Sequence, residues 1–441
     1  MTPLEYLANK FGNVIMYDAA GNPSIFVKFP KMKSSDLDAE LPDHTHPAFI
    51  VNNVEQDYIL LGKYKGTEVK TVEEEEGQDV GTLLSLPNRE PKNSLTAAEY
   101  ITATRKAGSK FSCMTVADYG FLILLAKKLG WTPHGNTCGG SSRYDALPWS
   151  LFEGNVGGWP DDQSLTPGSE FSFLGWKYEC IKACPCTLAN TPDKRPDCYR
   201  KIRFVGGTPV QQSPEGYRFY KGQLNPTGAG CSIIRTLNGS GPKNWYLGND
   251  LGSMADLVGS VTELVAGYLV VDGEILILPN NNAADPSKSI LPARKGLLPP
   301  IWRAIKPNAD DDGYTLVNPG TTGTLHWNWD ATNEKIILDT QTDTLTPAIP
   351  SNHYYNYPTG LGVNTEHLPY IPSIMKELGL YKLSSQSSWY EPEFFSFDGV
   401  FVMYCGGSSS DMHTAPTLDR MIAKEYSITD PEKGARPRCM M

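Results

Sequence analysis

The stretch FSFDGVFVMYCGGSSSDMHTAPTLDRMIAKEYSITDPEKGARPRCMM, residues 395–441, decides how this chain is read. Its apolar ends, Val400 to Tyr404 and the GARPRC close, predict strands. Between them, from Ser408 to Asp430, small and polar residues follow neither a helical period nor a strand alternation. Such a run reads as surface. Chain ends usually fray, whereas this one closes on a predicted strand. The polar segment is therefore expected to be a loop held at both ends, and it is the expected working face.

The totals are compatible with that reading. The 441 residues suffice for two or three ordinary domains, or for one elaborated domain with long insertions. Hydrophobic residues make up 40% and charged residues 20%, and 41 Gly with 34 Pro favour strands and loops over helix bundles. A net charge of -10 without a basic stripe argues against nucleic acid, whose phosphates need clustered Lys and Arg. No apolar run reaches the roughly 20 residues of a membrane helix. The start MTPLEYLANKFGNV lacks the charged and apolar regions of a secretory signal. A soluble protein made in a bacterial cytoplasm is expected, with its nine cysteines mostly plain thiols.

Along the chain, PSIFVKFPKM (23–32) predicts one strand, but residues 1–50 bury too little for an independent domain and read as an attachment or oligomerisation segment. DHTHPAFIV (43–51) sets His44 and His46 two apart, which serves either a metal or a polar turn before a strand. YILLGKYKGT (58–67) reads as a strand. SLTAAEYITATRKAG predicts a helix capped by Ser94 and stopped at Gly108. A second helix is expected from cap Thr115 to Lys128, with Tyr119, Leu122, Ile123 and Ala126 on one face and Gly130 as stop. Asp272-Gly273 between apolar runs signals a hairpin. Residues 51–441 are expected to form one domain with insertions at about 155–230 and 286–350. A short helix is expected at Ser373–Leu378, stopped at Gly379.

Catalytic motifs are missing. There is no P-loop, no G-x-G-x-x-G after a strand, no H-E-x-x-H and no G-x-S-x-G elbow. Glu263 reads as a structural hydrogen-bonder, and His413 as a contact residue. Cys180, Cys184, Cys186 and Cys198 leave zinc, free thiols and a disulfide open, because the paired C-x2-C of a zinc ribbon is absent.

Several segments carry a resemblance. MTVADYGFLILLAKKLG is similar to the T-x-A-E-W helix start of formylglycine-generating-enzyme-like and related C-type lectin-like proteins, with Asp118 and Tyr119 where Glu and Trp are usual. ADLVGSVTELVAGYLVVDGEI resembles their D-L-x-G-N-V-W-E-W segment at Asp256, Leu257, Gly259, Val261 and Glu263, and departs at Ser260, Thr262 and Leu264. GVFVMYCGGSSS and GARPRC correspond to the closing strands through Gly406, Gly407, Gly434 and Arg436. More narrowly, the order of segments resembles tail-fibre or receptor-binding proteins of phages and prophages, leaving about 155–230 uncovered.

The resemblance implies an α+β, C-type lectin-like fold in which small twisted antiparallel sheets carry two helices on one side and long loops on the other. It also implies a virion protein of the phage tail, a homotrimer assembled through residues 1–50 beside other tail proteins, whose C-terminal loop binds a host-cell surface protein or glycan. In many relatives that loop is varied by a diversity-generating retroelement, and the Ser, Thr, Asp, His and Tyr palette here fits one. The expected contacts are Tyr390, Glu391, Glu393, Ser408, Ser409, Ser410, Asp411, His413, Thr414, Asp419, Tyr426, Ser427, Thr429 and Asp430. No catalysis is expected: the oxidases of this fold use a cysteine pair after the Gly-Gly mark, and no cysteine lies between Ser408 and Lys433. An enzyme of that fold or a glycan depolymerase is the alternative, and a non-phage bacterial surface lectin is a third. The family's structural calcium sites rest on loop carboxylates and carbonyls that the sequence alone does not place, so calcium stays open.

Overall fold

Asp272 and Gly273 both take positive φ, 47° and 87°. This is the pair of conformations that a two-residue hairpin turn needs. The predicted hairpin forms, with Thr262–Val271 antiparallel to Glu274–Ile277. On its other edge the long strand pairs antiparallel with Val400–Cys405, and its start pairs parallel with Lys433–Ala435. It is the central strand of the molecule.

These facts come from a computed structural model, which describes residues 2–71, 79–137, 140, 142, 164–173, 175–185, 190, 192, 194–208, 210, 235–291, 297–330, 332–333, 335–340, 362–384, 393–394, 399–408, 420–423 and 427–440, with the backbone alone at 172–173, 393–394 and 420–423. Among them the fold is mixed α+β. The central strand belongs to an 11-stranded sheet. A 5-stranded sheet sets Val14–Tyr17, Pro23–Pro30, Tyr58–Gly62, Pro437–Cys439 and Phe111–Cys113 side by side. No helix among the described residues is long and apolar enough to cross a membrane.

The apolar runs of the large sheet are nearly unbroken because both faces are covered. Along Val400–Cys405, Val400, Val402 and Tyr404 join one core cluster, while Phe401, Met403 and Cys405 join the other. The Ala97–Arg105 helix packs in the first cluster and the Val116–Lys128 helix in the second. The two helices thus lie on opposite faces, which corrects the expectation of one side. A strand that is apolar at both parities needs cover on both.

Local chemistry explains most helix ends. Thr115 accepts from the amide of Asp118, and the Asp118 carboxylate accepts from the amide of Thr115, a capping box that starts the second helix as predicted. Gly130 follows its end at φ 58°. Its burial exceeds the predicted stripe, since every residue from Val116 to Leu124 is buried. In the first helix the cap is Thr96, not Ser94. Thr96 and Glu99 form the reciprocal pair, while Ser94 stands at φ 60° and donates its amide to Asp430 O. The short helix spans Ser373–Glu377, with Gly379 at φ 57°.

The strand pairings bear on four stretches of the expected organisation. Residues 1–50 are no separate segment: Pro23–Pro30 pairs with Tyr58–Gly62, and Phe29, Leu37 and Phe49 enter the main core. The 286–350 stretch is no isolated insertion, because Arg303–Pro307, Tyr314–Val317, His326–Asp330 and Lys335–Asp339 extend the large sheet. Within 155–230, the described residues form small sheets of their own, Glu170–Phe173 with Trp176–Cys180 and Tyr199–Phe204, and Ser164–Leu165 with Cys184–Pro185. The 58–67 strand is two, Tyr58–Gly62 and Gly66–Val69. It breaks where the carbonyls of Gly62 and Lys63 turn to accept from Arg436.

Candidate functional site

The C-terminal segment leaves the sheet through two glycines, of which Gly406 has no room for a side chain. Gly406 has φ 92°, and a Cβ there would stand 2.3 Å from Leu257 O; its own carbonyl accepts from Gly259 N at 2.7 Å. Gly407 follows at φ 61°. Ser408, expected at the surface, is fully buried, because it still lies within the stem packed on the sheet. Arg420–Ala423, expected inside the loop, is a strand antiparallel to Val402–Cys405, with Cys405 opposite Arg420. Glu393–Phe394 pairs parallel with Met421–Ile422, so the backbone of Glu393 belongs to this edge.

Beyond that strand, Ser427 and Thr429 are exposed. Asp430 is engaged within the chain. Its carboxylate accepts from Glu432 N at 2.8 Å and pairs with Lys433 at 3.3 Å, and its carbonyl accepts from Ser94 N. Tyr390, Glu391, Ser409, Ser410, Asp411, His413, Thr414, Asp419 and Tyr426 lie outside the described residues, as do the side chains of Glu393 and Arg420.

What holds the return of this segment is Arg436, fully buried between Lys433–Ala435 in the large sheet and Pro437–Cys439 in the small one. Its guanidinium donates to both Glu263 oxygens at 2.6 and 2.8 Å, to Gly62 O and Lys63 O at 3.0 and 2.9 Å, and to Ala255 O at 2.9 Å. The planar fork of five N–H groups suits such a junction. Lys65, also buried, reaches Glu263 at 3.1 Å. Burial pushes the Glu263 carboxyl up, but Arg436 and Lys65 outweigh it and hold it below the usual range. Glu263 is therefore the structural partner that the sequence suggested. Lys65 was missed, since nothing local marks a lysine for burial.

His44 and His46 converge on one residue. The Nε2 of His44 lies 2.6 Å from Glu377 Oε1, and the Nε2 of His46 lies 3.0 Å from Glu377 O. Since His46 Nδ1 accepts from Ala48 N, its proton sits on Nε2 and is donated to that carbonyl. Burial lowers His46 to about 4, whereas the hydrogen bond to Glu377 raises His44. Ser34 Oγ also donates to Glu377 Oε1, and Glu377 Oε2 is buried without a partner. Glu377 was not legible, because it lies far from the histidines in sequence.

Cys180, Cys184 and Cys198 are buried free thiols, and Cys186 lies outside the described residues. Among the described residues no group of three or more His, Cys, Asp or Glu is placed to hold a metal ion. The chain matches no protein-family model, and no curated protein matches it.

Proposed function

We propose that this chain is a receptor-binding protein of C-type lectin-like architecture, carried on a phage tail, whose segment between Gly407 and Lys433 recognises a host-cell surface protein or glycan. The observation that carries this reading is the paired stem: Val400–Cys405 and Arg420–Ala423 run antiparallel, with Cys405 opposite Arg420. The polar residues 409–419 are thus bracketed by two paired strands, the first of which pairs with the central strand. Loops held on a rigid frame tolerate exchange of side chains without loss of the core, and Tyr, Ser and Asp supply the anchors and adaptable hydrogen bonds of paratopes. The same logic supports diversification by a retroelement; a near-repeat of the last coding bases beside a reverse-transcriptase gene is the expected genomic mark, and flanking DNA lacking both contradicts it.

The absence of cysteines between Ser408 and Lys433 in the sequence removes the pair that oxidases of the resembled fold use, which supports binding over that oxidase chemistry. A homotrimer would give weak loop contacts useful avidity. Light scattering on the purified protein is expected to return a trimer mass, and a monomer at working concentration argues against that assembly. The direct test of the reading is the replacement of 409–419 by a Gly-Ser linker in the full chain. Loss of binding to host cells is expected, and unchanged binding removes this face from the account.

A further inference from the structure

Among the described residues of 164–204, few apolar side chains are buried: Leu165, Phe171 and Tyr199 lie inside, while Ile181, Ile202 and Phe204 are exposed. Their sheets have three strands and two. So small a lobe buries little apolar surface, and units of that kind are commonly held by covalent cross-links. Cys180, Cys184 and Cys198 occupy its interior, each at most 1% exposed. None of the three belongs to the two core clusters that flank the central strand.

The backbone brings these thiols to one place. Cys180 stands opposite Tyr199, the neighbour of Cys198, and the Cys198 carbonyl accepts from Ile181 N at 2.8 Å. Cys184 stands opposite Leu165, whose carbonyl accepts from Cys180 Sγ at 3.3 Å. Lys182 O lies 3.2 Å from the same sulfur, so the Cys180 thiol is taken up by the backbone. The Cys198 thiol meets a sulfur instead: it is hydrogen-bonded to Cys184. Arg195 donates to the Cys198 sulfur at 3.1 Å, and Asp197 Oδ2 lies 3.7 Å from it. Three thiols thus share the interior, and two of them are in direct contact.

We propose that Cys184 and Cys198 are a redox pair, reduced when the chain folds and closed to a disulfide by a low-molecular-weight disulfide such as oxidised glutathione, which staples the 164–204 lobe. One thiol gives up its proton and attacks a sulfur of the oxidant, releasing one reduced glutathione; the other then attacks the mixed disulfide and releases the second. Two protein thiols lose two protons and two electrons, one S–S bond forms in the protein, and the one in the oxidant breaks. The sulfurs need to close only from hydrogen-bond contact to the bonded length of about 2.05 Å. Burial first, then the hydrogen bond to Cys184, push the Cys198 thiol up to about 11, against the pull of Arg195. Exchange runs through the thiolate, so it is expected to quicken as pH rises.

The test is incubation of the reduced full chain with oxidised glutathione at mildly alkaline pH, followed by alkylation, non-reducing trypsin digestion and mass spectrometry. Peptides 183–194 and 195–200, which carry Cys184 and Cys198, are expected as one linked species in most of the protein. Cys186 shares the first peptide, so two variants assign the bond. Cys186→Ser is expected to keep the linked species and Cys184→Ser to remove it. Cleavage of the folded chain at the exposed Lys201 and Arg203 is expected to be slower after oxidation by roughly tenfold or more, because the lobe opens less often. Failure of the wild-type chain to form the link overturns the proposal without recourse to any variant. A link that survives Cys184→Ser overturns the pairing, and cleavage at equal rates before and after oxidation overturns the staple. Zinc found at one equivalent in protein purified without chelator, with these thiols protected from the oxidant, overturns it as well.

Discussion

Arg436 shows how much a single side chain can be asked to do when two sheets meet on one short stretch. It ties Glu263 of the central strand to the carbonyls of 62–63 and 255, so the ion pair is buried on both sides. Glu263→Gln leaves that guanidinium without its anion, and breaking a buried pair from one side costs about 3–5 kcal/mol. Urea unfolding should report a loss of that size, and a change within about 0.5 kcal/mol, as at an ordinary surface site, would contradict the assignment. His46 supplies a pH dependence. Burial lowers it from 6.5 to about 4, so between those values the unfolded chain holds the extra proton. Stability contributed by neutral His46 is complete above 6.5 and is lost as pH falls toward 4, about 2–3 kcal/mol between pH 7.5 and 4.5. His44, raised by its bond to Glu377, acts in the opposite sense, its contribution being present below 6.5 and lost as pH rises through its folded value. The His46 contribution is isolated by comparing the wild type with His46→Gln at both pH values. Wild type should lose about 2–3 kcal/mol more than the variant on acidification, and parallel losses would refute it. At this scale the sequence was partly legible. Arg436 was marked by its motif and Glu263 by its bland reading, but Lys65, Glu377 and the shared target of the two histidines depend on contacts between distant segments.

Elements follow the same division. The Val116–Lys128 helix was readable from Thr115 and Gly130 because a cap is local chemistry. What surrounds it was not, since an apolar residue reports burial without naming its neighbour. Gly120 illustrates the gap. Within a helix it costs about 1 kcal/mol relative to Ala, yet a Cβ there would stand 2.3 Å from Glu377 O and 2.6 Å from Leu378 C. The two helices touch backbone to side-chain-free backbone, and the contact positions Glu377 beneath His44. Gly120→Ala is therefore expected to destabilise by about 1–3 kcal/mol, as overpacking does, against the gain that helix propensity alone predicts. Thermal unfolding decides the sign, and a raised melting temperature would show that the helices can part at little cost.

For the whole molecule, the N-terminal residues and the last strand share one sheet. Pro23–Pro30 pairs with Tyr58–Gly62, which in turn pairs with Pro437–Cys439. A segment read as an attachment piece is thus part of the core. Composition could not reveal this, because a strand of alternating character looks the same whether its partner is near or far in sequence. Deleting residues 1–31 exposes an edge of that sheet and removes Phe26 and Phe29 from the core. The truncated chain is expected to lose cooperative unfolding, and a sharp wild-type transition would show that the segment is separable.

The central claim is that this frame presents the polar segment after Gly407. The most direct measurement is binding of the full chain to a panel of host cells, beside the same chain carrying Gly-Ser in place of residues 409–419, with urea unfolding of both. The account predicts matching unfolding curves and at least tenfold weaker binding by the variant. Equal binding by two equally stable proteins would contradict it.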